Sequence, residues 1–136
     1  MLELLLVSSI LGILAALSIP VGRTLLLQND LRLAAVSAIQ SMRRAQVLSQ
    51  ASDSDNSWGV SVQPGAITLF QGSSFASRNT PLDEATILPS TIAVTGLTEV
   101  VFDRFTGTPQ QTGTLTLSNE TTTSVLTLNA KGMVSD

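Results

Sequence analysis

The chain has 136 residues, of which 12% are charged and 43% are apolar, and its mean hydropathy is +0.35. This length allows one globular domain, and the low charge combined with the high apolar share favours contact with a membrane. The net charge of −3 argues against a main task of neutralising nucleic-acid phosphates. The sequence has no Cys and no His, which removes disulfides, thiol nucleophiles, the usual zinc sites and the commonest general base. We therefore expect no enzymatic activity and no cofactor.

The first segment of the chain is uncharged from Leu4 to Gly22, between Glu3 and Arg23. A helix of that length rises roughly 28 Å, close to the ~30 Å thickness of a bilayer's hydrocarbon core. The sequence therefore predicts a transmembrane helix over residues 1–22, which Pro20 kinks or loosens near its far end. Two alternatives stay open: a helix buried in a soluble core, and a cleaved signal peptide. The lack of Lys or Arg ahead of Glu3 counts against the signal peptide.

A globular domain is expected over residues 23–136, and its first element continues the helix over 23–51. Apolar residues recur there at steps of three and four, and most of the remaining residues are good helix formers. This periodicity predicts one buried face that packs on a sheet, formed by Leu31, Ala35, Ala38, Met42 and Ala45.

The pattern then changes to short runs in which apolar and polar residues alternate, which is typical of strands. We expect strands at 58–62, 66–70, 99–102, 113–118 and 124–129, with short strands near 85–88 and after Gly132. Pro64 and Gly65 predict one hairpin turn, and residues 119–123 predict a second hairpin loop. The predicted fold class is α+β: a long N-terminal helix, transmembrane and then amphipathic, packed on an antiparallel β-sheet domain.

The start of the sequence, LELLLVSSILGILAALSIP, resembles the N-terminal segment of type IV pilins and type II secretion pseudopilins. Glu3 stands at the place of that family's glutamate, and Gly12 and Pro20 match its usual Gly and Pro. Further along, the order MRRAQVLSQ, WGV, LFQG, VVFDRFTGTP, GTLTLS and LTLNAKGMVS is similar to the GspH/FimT subfamily of minor pilins and pseudopilins. In that subfamily an Arg usually lies near the last Gly, where this chain has Met133.

The resemblance implies a structural subunit of a type IV pilus or of a type II secretion pseudopilus. It implies a single-pass protein of the cytoplasmic (inner) membrane whose C-terminal domain lies on the periplasmic or extracellular side before assembly into a filament. The implied partners are other pilin or pseudopilin subunits, a prepilin peptidase and an inner-membrane assembly platform. That peptidase cuts a basic leader and methylates the new N-terminus a few residues before the glutamate. Because Met1 is so close to Glu3, we expect the leader to lie ahead of the printed sequence.

Glu3 is the strongest candidate functional residue, because a carboxylate at the edge of a membrane helix needs a cationic partner. From the residues alone, an acid that interacts with the dipole at the helix N-terminus is an equally good explanation. The resemblance implies that the partner is the N-terminal amine of a neighbouring subunit, which would set the register of the filament. Gly12, Ala15 and Ala16 allow close approach between helices, and Pro20 either permits local unwinding or marks the membrane exit.

Two other functions are open: a DNA-binding FimT-like minor pilin, and a membrane-anchored adhesion domain. Beyond Ala51 the basic residues are Arg78, Arg104 and Lys131. Strand aromatics that stack on single-stranded DNA need a more basic surround, so nucleic acid is not an expected partner.

Two acidic clusters partly match known kinds of functional site, a calcium-binding loop and a catalytic carboxylate pair. Asp53, Asp55 and Ser57 match the first half of a calcium loop, but the Gly and the distal Glu are not at the required spacing, so no metal site is predicted. Asp83 and Glu84 form a carboxylate pair without an accompanying base, ligand or nucleophile.

Three further features have ordinary interpretations. Asn119 begins a glycosylation sequon at a hairpin tip, and Asp103 with Arg104 forms a surface pair or caps a turn. The aromatic residues Trp58 and Phe70 are predicted to lie in the core.

Overall fold

The computed structural model describes residues 2–51 and 56–135, except that the side chains of residues 17–21 are outside this description. The chain begins with one helix, α1 (Leu2–Gln50), of 49 residues. At 1.5 Å per residue this helix is about 74 Å long. Its serine hydroxyls near the start are satisfied locally, since Ser8 and Ser9 donate to the carbonyls of Leu5 and Leu6 at 3.0 and 2.8 Å. The predicted helix end near residue 50 is confirmed.

In the described part of the chain, eight strands follow the helix and form two antiparallel sheets. Their bounds are β1 (Trp58–Gln63), β2 (Ala66–Gln71), β3 (Glu84–Ile87), β4 (Ala93–Gly96), β5 (Glu99–Phe102), β6 (Gly113–Ser118), β7 (Thr123–Leu128) and β8 (Val134–Ser135). One sheet has the order β3-β2-β1-β5 and the other the order β4-β6-β7-β8. A short 3-10 turn (Thr80–Leu82) precedes β3. The α+β fold class is confirmed.

Seven of these strands match the predicted runs to within one or two residues, including the two predicted hairpins β1–β2 and β6–β7. Strand β4 is not predicted from the sequence, because its pairing with β6 cannot be read from the local pattern. This strand is held instead by its pairing with β6 and ends at Gly96, whose φ of 86° requires glycine. A Cβ atom there would lie 2.3 Å from the Thr114 carbonyl oxygen.

The core lies between the second half of α1 and both sheets. The predicted helix face is confirmed in full, since all five of its residues are buried: Leu31, Ala35, Ala38, Met42 and Ala45. The alanines let the helix approach the strands closely, and the large side chains come mainly from the sheets. Trp58 and Phe70 are buried, as predicted.

The C-terminal end of α1 is fastened to the domain through Ser49, which is fully buried. Its hydroxyl accepts a hydrogen bond from the Trp58 N–H (2.9 Å) and donates to the Phe102 carbonyl (3.1 Å). The backbone carbonyl of Ser49 accepts from the Phe105 N–H at 2.9 Å. One turn earlier, the Gln46 amide donates to the carbonyls of two loops. The helix end therefore has partners for groups that a terminus leaves unsatisfied.

Candidate assembly surface on the N-terminal helix

The first half of α1 extends beyond the domain. The domain covers the helix from Leu31 onward, and the hairpin tip reaches back one turn further, where the Asn119 amide donates to the Leu27 carbonyl at 2.7 Å. Before this point the large apolar side chains that the structure describes are exposed: Leu2, Leu4, Leu5, Leu6, Val7, Ile10, Leu11, Ile13, Leu14, Leu25 and Leu26. Successive residues turn by about 100°, so the run 4–7 alone places apolar side chains all around the helix. A helix that is apolar on every side is typically buried in a core or a membrane.

Across the residues that the structure describes, no helix is long and apolar enough to cross a membrane.

Glu3 lies in the first turn of α1 and is exposed. It borders a shallow hollow together with Leu2, Leu5, Leu6 and Ser9. None of the salt bridges among the described residues involves Glu3. Its position favours the helix electrostatically, because a negative charge interacts well with the unsatisfied N–H groups of a first turn.

The small residues of this helix form an open surface. Gly12, Ala15 and Ala16 are all exposed, and a Cβ atom built on Gly12 would have no heavy atom within 4 Å. Gly12 and Ala16 are one turn apart, so they share one side of the helix. Pro20 lies within the bounds of α1, but its predicted role concerns a side chain outside the described residues. The predicted positions therefore lie along one helix, and those whose side chains the structure describes form no enclosed pocket.

The two carboxylates at 83 and 84 are not a paired site. Asp83 accepts from the Arg78 guanidinium at 2.7 Å, and Glu84 accepts from the Arg44 guanidinium, also at 2.7 Å, in a more exposed position. The two acids thus serve separate ion pairs. Arg78 also donates to the Phe75 carbonyl and lies over the Phe75 ring, with 3.8 Å from its guanidinium carbon to the ring centroid. Arg78 therefore fixes the loop that precedes β3, a role the sequence did not indicate.

The remaining minor candidates have structural roles where they are described. Asn119 accepts from the N–H groups of Thr121 and Thr122 through its side-chain oxygen, while its amide nitrogen is bonded to the helix. Asp103 accepts from Thr108 and Gln110, so it caps a turn.

Of the imitated calcium loop, Asp53 and Asp55 lie outside the described residues. Within the part of the chain that the structure describes, no cluster of three acidic side chains is placed to hold a metal ion.

Together, the long helix, its bare apolar first half and the two antiparallel sheets on its second half define a pilin-type α+β protein. A protein-family model described as type II transport protein GspH matches residues 24–132, which is most of the chain. The chain therefore belongs to the GspH family, whose members are structural pseudopilin components of type II secretion. Searches of curated proteins and of solved structures give no significant match.

Proposed function

We propose that this protein is a minor pseudopilin that is anchored in the cytoplasmic membrane through residues 1–22 and polymerises into a type II secretion pseudopilus. In this proposal residues 23–136 form the domain on the periplasmic side, and the protein acts as a structural subunit. The observation that carries the proposal concerns the first half of α1, whose described large apolar side chains are not covered by the protein's own domain.

The hydrophobic effect explains why this helix half needs a cover. Full burial of one Leu, Ile or Val side chain stabilises by about 1.5–3 kcal/mol. Among the residues whose side chains the structure describes, eleven such side chains are exposed between Leu2 and Leu26, so their burial contributes on the order of 20 kcal/mol. Lipid chains and neighbouring helices are similarly apolar, which makes transfer from one to the other nearly neutral in this term. Specific contacts must therefore decide whether the helix leaves the lipid for the filament.

Two features of the helix supply such contacts. Glu3 would pair with the N-terminal amine of a neighbouring subunit, and a charge pair formed in apolar surroundings is worth more than one in water. Gly12 and Ala16 would allow a neighbouring helix to approach closely, because neither presents a large side chain. Cleavage and methylation by a prepilin peptidase would produce the amine that faces Glu3, and the inner-membrane assembly platform would lift the subunit.

The test compares Glu3→Ala with Glu120→Ala, which removes an exposed carboxylate at the hairpin tip. Both variants are expressed in cells that carry the complete secretion system, and membrane and sheared-filament fractions are separated. We expect Glu120→Ala to enter the filament fraction like the wild type. For Glu3→Ala we expect the ratio of membrane-bound to filament-bound protein to be at least tenfold higher than for the wild type.

The same assay separates the alternatives. A plain membrane-anchored adhesion domain would stay in the membrane fraction in every variant, wild type included. A DNA-binding minor pilin would retain labelled DNA in the filament fraction. Because Arg78 is paired with Asp83, fewer basic side chains are left to bind DNA phosphates, which counts against a DNA-binding role.

A further inference from the structure

Strand β3 lies at the edge of its sheet and pairs on one side only. Its four residues pair with residues 66–69 of β2, and among the described strands none lies on its opposite side. Both connections of β3 belong to the described chain, since the 3-10 turn (Thr80–Leu82) precedes it and residues 88–92 lead on to β4. The open edge therefore follows from the order of strands within the domain.

The ladder pattern shows which backbone groups face this open edge. The Leu88 N–H donates to the Gly65 carbonyl at 3.0 Å, so Leu88 directs its backbone groups toward β2. Alternate residues of a strand direct their N–H and C=O groups to the same edge. Thr86 therefore also faces β2, whereas the N–H and C=O groups of Ala85 and Ile87 face outward. None of the backbone hydrogen bonds found in the described turns and loops involves Ala85 or Ile87.

The side chains of β3 do not protect this edge. Natural proteins commonly keep an edge strand from pairing by means of charged side chains or proline. Strand β3 has one charged residue, Glu84, and its carboxylate accepts from the Arg44 guanidinium at 2.7 Å, so the charge is offset within the chain. All four residues of β3 are exposed. Ile87 is 87% exposed, more than any other large apolar side chain that the structure describes.

The order of side chains makes the edge complementary to a second copy of itself. In a two-fold antiparallel pair centred on Thr86, Ala85 of each copy lies opposite Ile87 of the other. On the same face of the sheet, Ile87 is paired with Ala66 of its own chain. Ile87 would therefore pack between two alanines, which leave room for it. Thr86 would lie opposite Thr86, a cross-strand pair that stabilises sheets.

We propose that the open edge of β3 binds a second copy of this chain and joins the two four-stranded sheets into one across a two-fold axis. The N–H and C=O groups of Ala85 in one copy would bond to those of Ile87 in the other, and the reverse. A contact of four residues per copy buries less than the roughly 1,200 Å² at which stable interfaces begin, so the dimer is weak in dilute solution. The proposal does not depend on filament assembly, because β3 belongs to the domain and not to the first half of α1.

Disulfide trapping tests this register directly, because the chain has no cysteine of its own. Opposed residues of a non-hydrogen-bonded pair have Cα atoms about 4.5 Å apart, which lies within the range of a disulfide. Full-length Thr86→Cys protein in detergent micelles, oxidised with copper phenanthroline, should therefore form disulfide-linked dimers. Thr114→Cys is the matched control, because Thr114 is an exposed threonine of an inner strand, β6. We expect at least fivefold more dimer from Thr86→Cys.

A charge placed on the edge tests whether strand pairing brings the two copies together. Ile87→Lys in the Thr86→Cys background should lower the dimer yield at least fivefold, because lysine opposes edge-to-edge pairing. Met133→Lys in the same background replaces a residue that is 65% exposed and lies next to β8 in the other sheet, so it should not change the yield. Both native side chains are exposed, so we expect both variants to keep the wild-type fold, which Trp58 fluorescence checks.

Hydrogen exchange in isotope-labelled, full-length protein supplies an independent measurement. Exchange of the outward amides of Ala85 and Ile87 should slow several-fold as the protein concentration rises, because these amides become bonded in the dimer. The Thr86 amide faces β2 already, so its exchange should change less.

Four outcomes overturn the proposal. Two of them are equal dimer yields from Thr86→Cys and Thr114→Cys, and a yield that Ile87→Lys does not lower. The third is exchange at Ala85 and Ile87 that does not depend on protein concentration. The fourth is slowing at these amides only after a different pseudopilin is added, which would identify that protein as the occupant of the edge.

Discussion

Replacement of Ser49 by alanine tests how the helix end is fastened to the sheets. The change removes a buried hydroxyl that accepts from the Trp58 N–H at 2.9 Å and donates to the Phe102 carbonyl at 3.1 Å. Depriving buried backbone groups of such a partner costs about 1–3 kcal/mol, and alanine returns about 0.5 kcal/mol through its higher helix propensity. We therefore expect the free energy of unfolding to fall by about 2 kcal/mol.

The assay is denaturant unfolding in mild detergent, followed by tryptophan fluorescence. Trp58 is the single tryptophan of the chain, and its backbone N–H is one of the two groups concerned. Ser41→Ala is the matched control, because Ser41 lies on the same helix and is partly exposed. We expect this control to match or slightly exceed wild-type stability. If the two variants unfold within 0.5 kcal/mol of each other, the proposed role of Ser49 is refuted.

Two further predictions concern ion pairs and the helix surface. Arg78→Ala should lower the free energy of unfolding by about 2 kcal/mol, because its pair with Asp83 is largely buried. Arg44→Ala should lower it by less than about 1 kcal/mol, since its pair with Glu84 is exposed. Denaturant unfolding of both variants checks this difference, and equal losses of stability would contradict it. Gly12→Leu should leave the domain's stability unchanged, since nothing lies near that position, but should reduce recovery in the filament fraction several-fold relative to Gly22→Leu. Wild-type recovery of Gly12→Leu would show that close helix approach is not needed there.

The helix and most strands could be predicted from the sequence because their signals are local. The buried residues from Leu31 to Ala45 recur at helical spacing, and Ser49 continues the same helix face one turn after Ala45. The sequence did not indicate that this polar residue is buried, because its two partners come from β1 and β5. Strand β4 was missed for a similar reason, since its pairing with β6 and not its own pattern defines it.

The candidate site, too, could be predicted from the sequence only in part. Glu3, Gly12 and the apolar run are visible in the sequence, and the structure adds that the domain leaves them uncovered. Their role in assembly stays a prediction, since it concerns other subunits.

The central claim is that the half of α1 that the domain does not cover, residues 2–26, contacts the helices of other pseudopilin subunits. We call it the bare half. The chain has no cysteine, so a single introduced cysteine reports one position. Leu11→Cys and Val47→Cys are matched, because both native side chains are 61% exposed on the same helix, one in the bare half and one beside the domain. In secreting cells, Leu11→Cys should form cross-links to other pseudopilins with single cysteines at equivalent helix positions, and Glu3→Ala should abolish them. Equal cross-linking from Leu11→Cys and Val47→Cys, or none from either, would contradict the account.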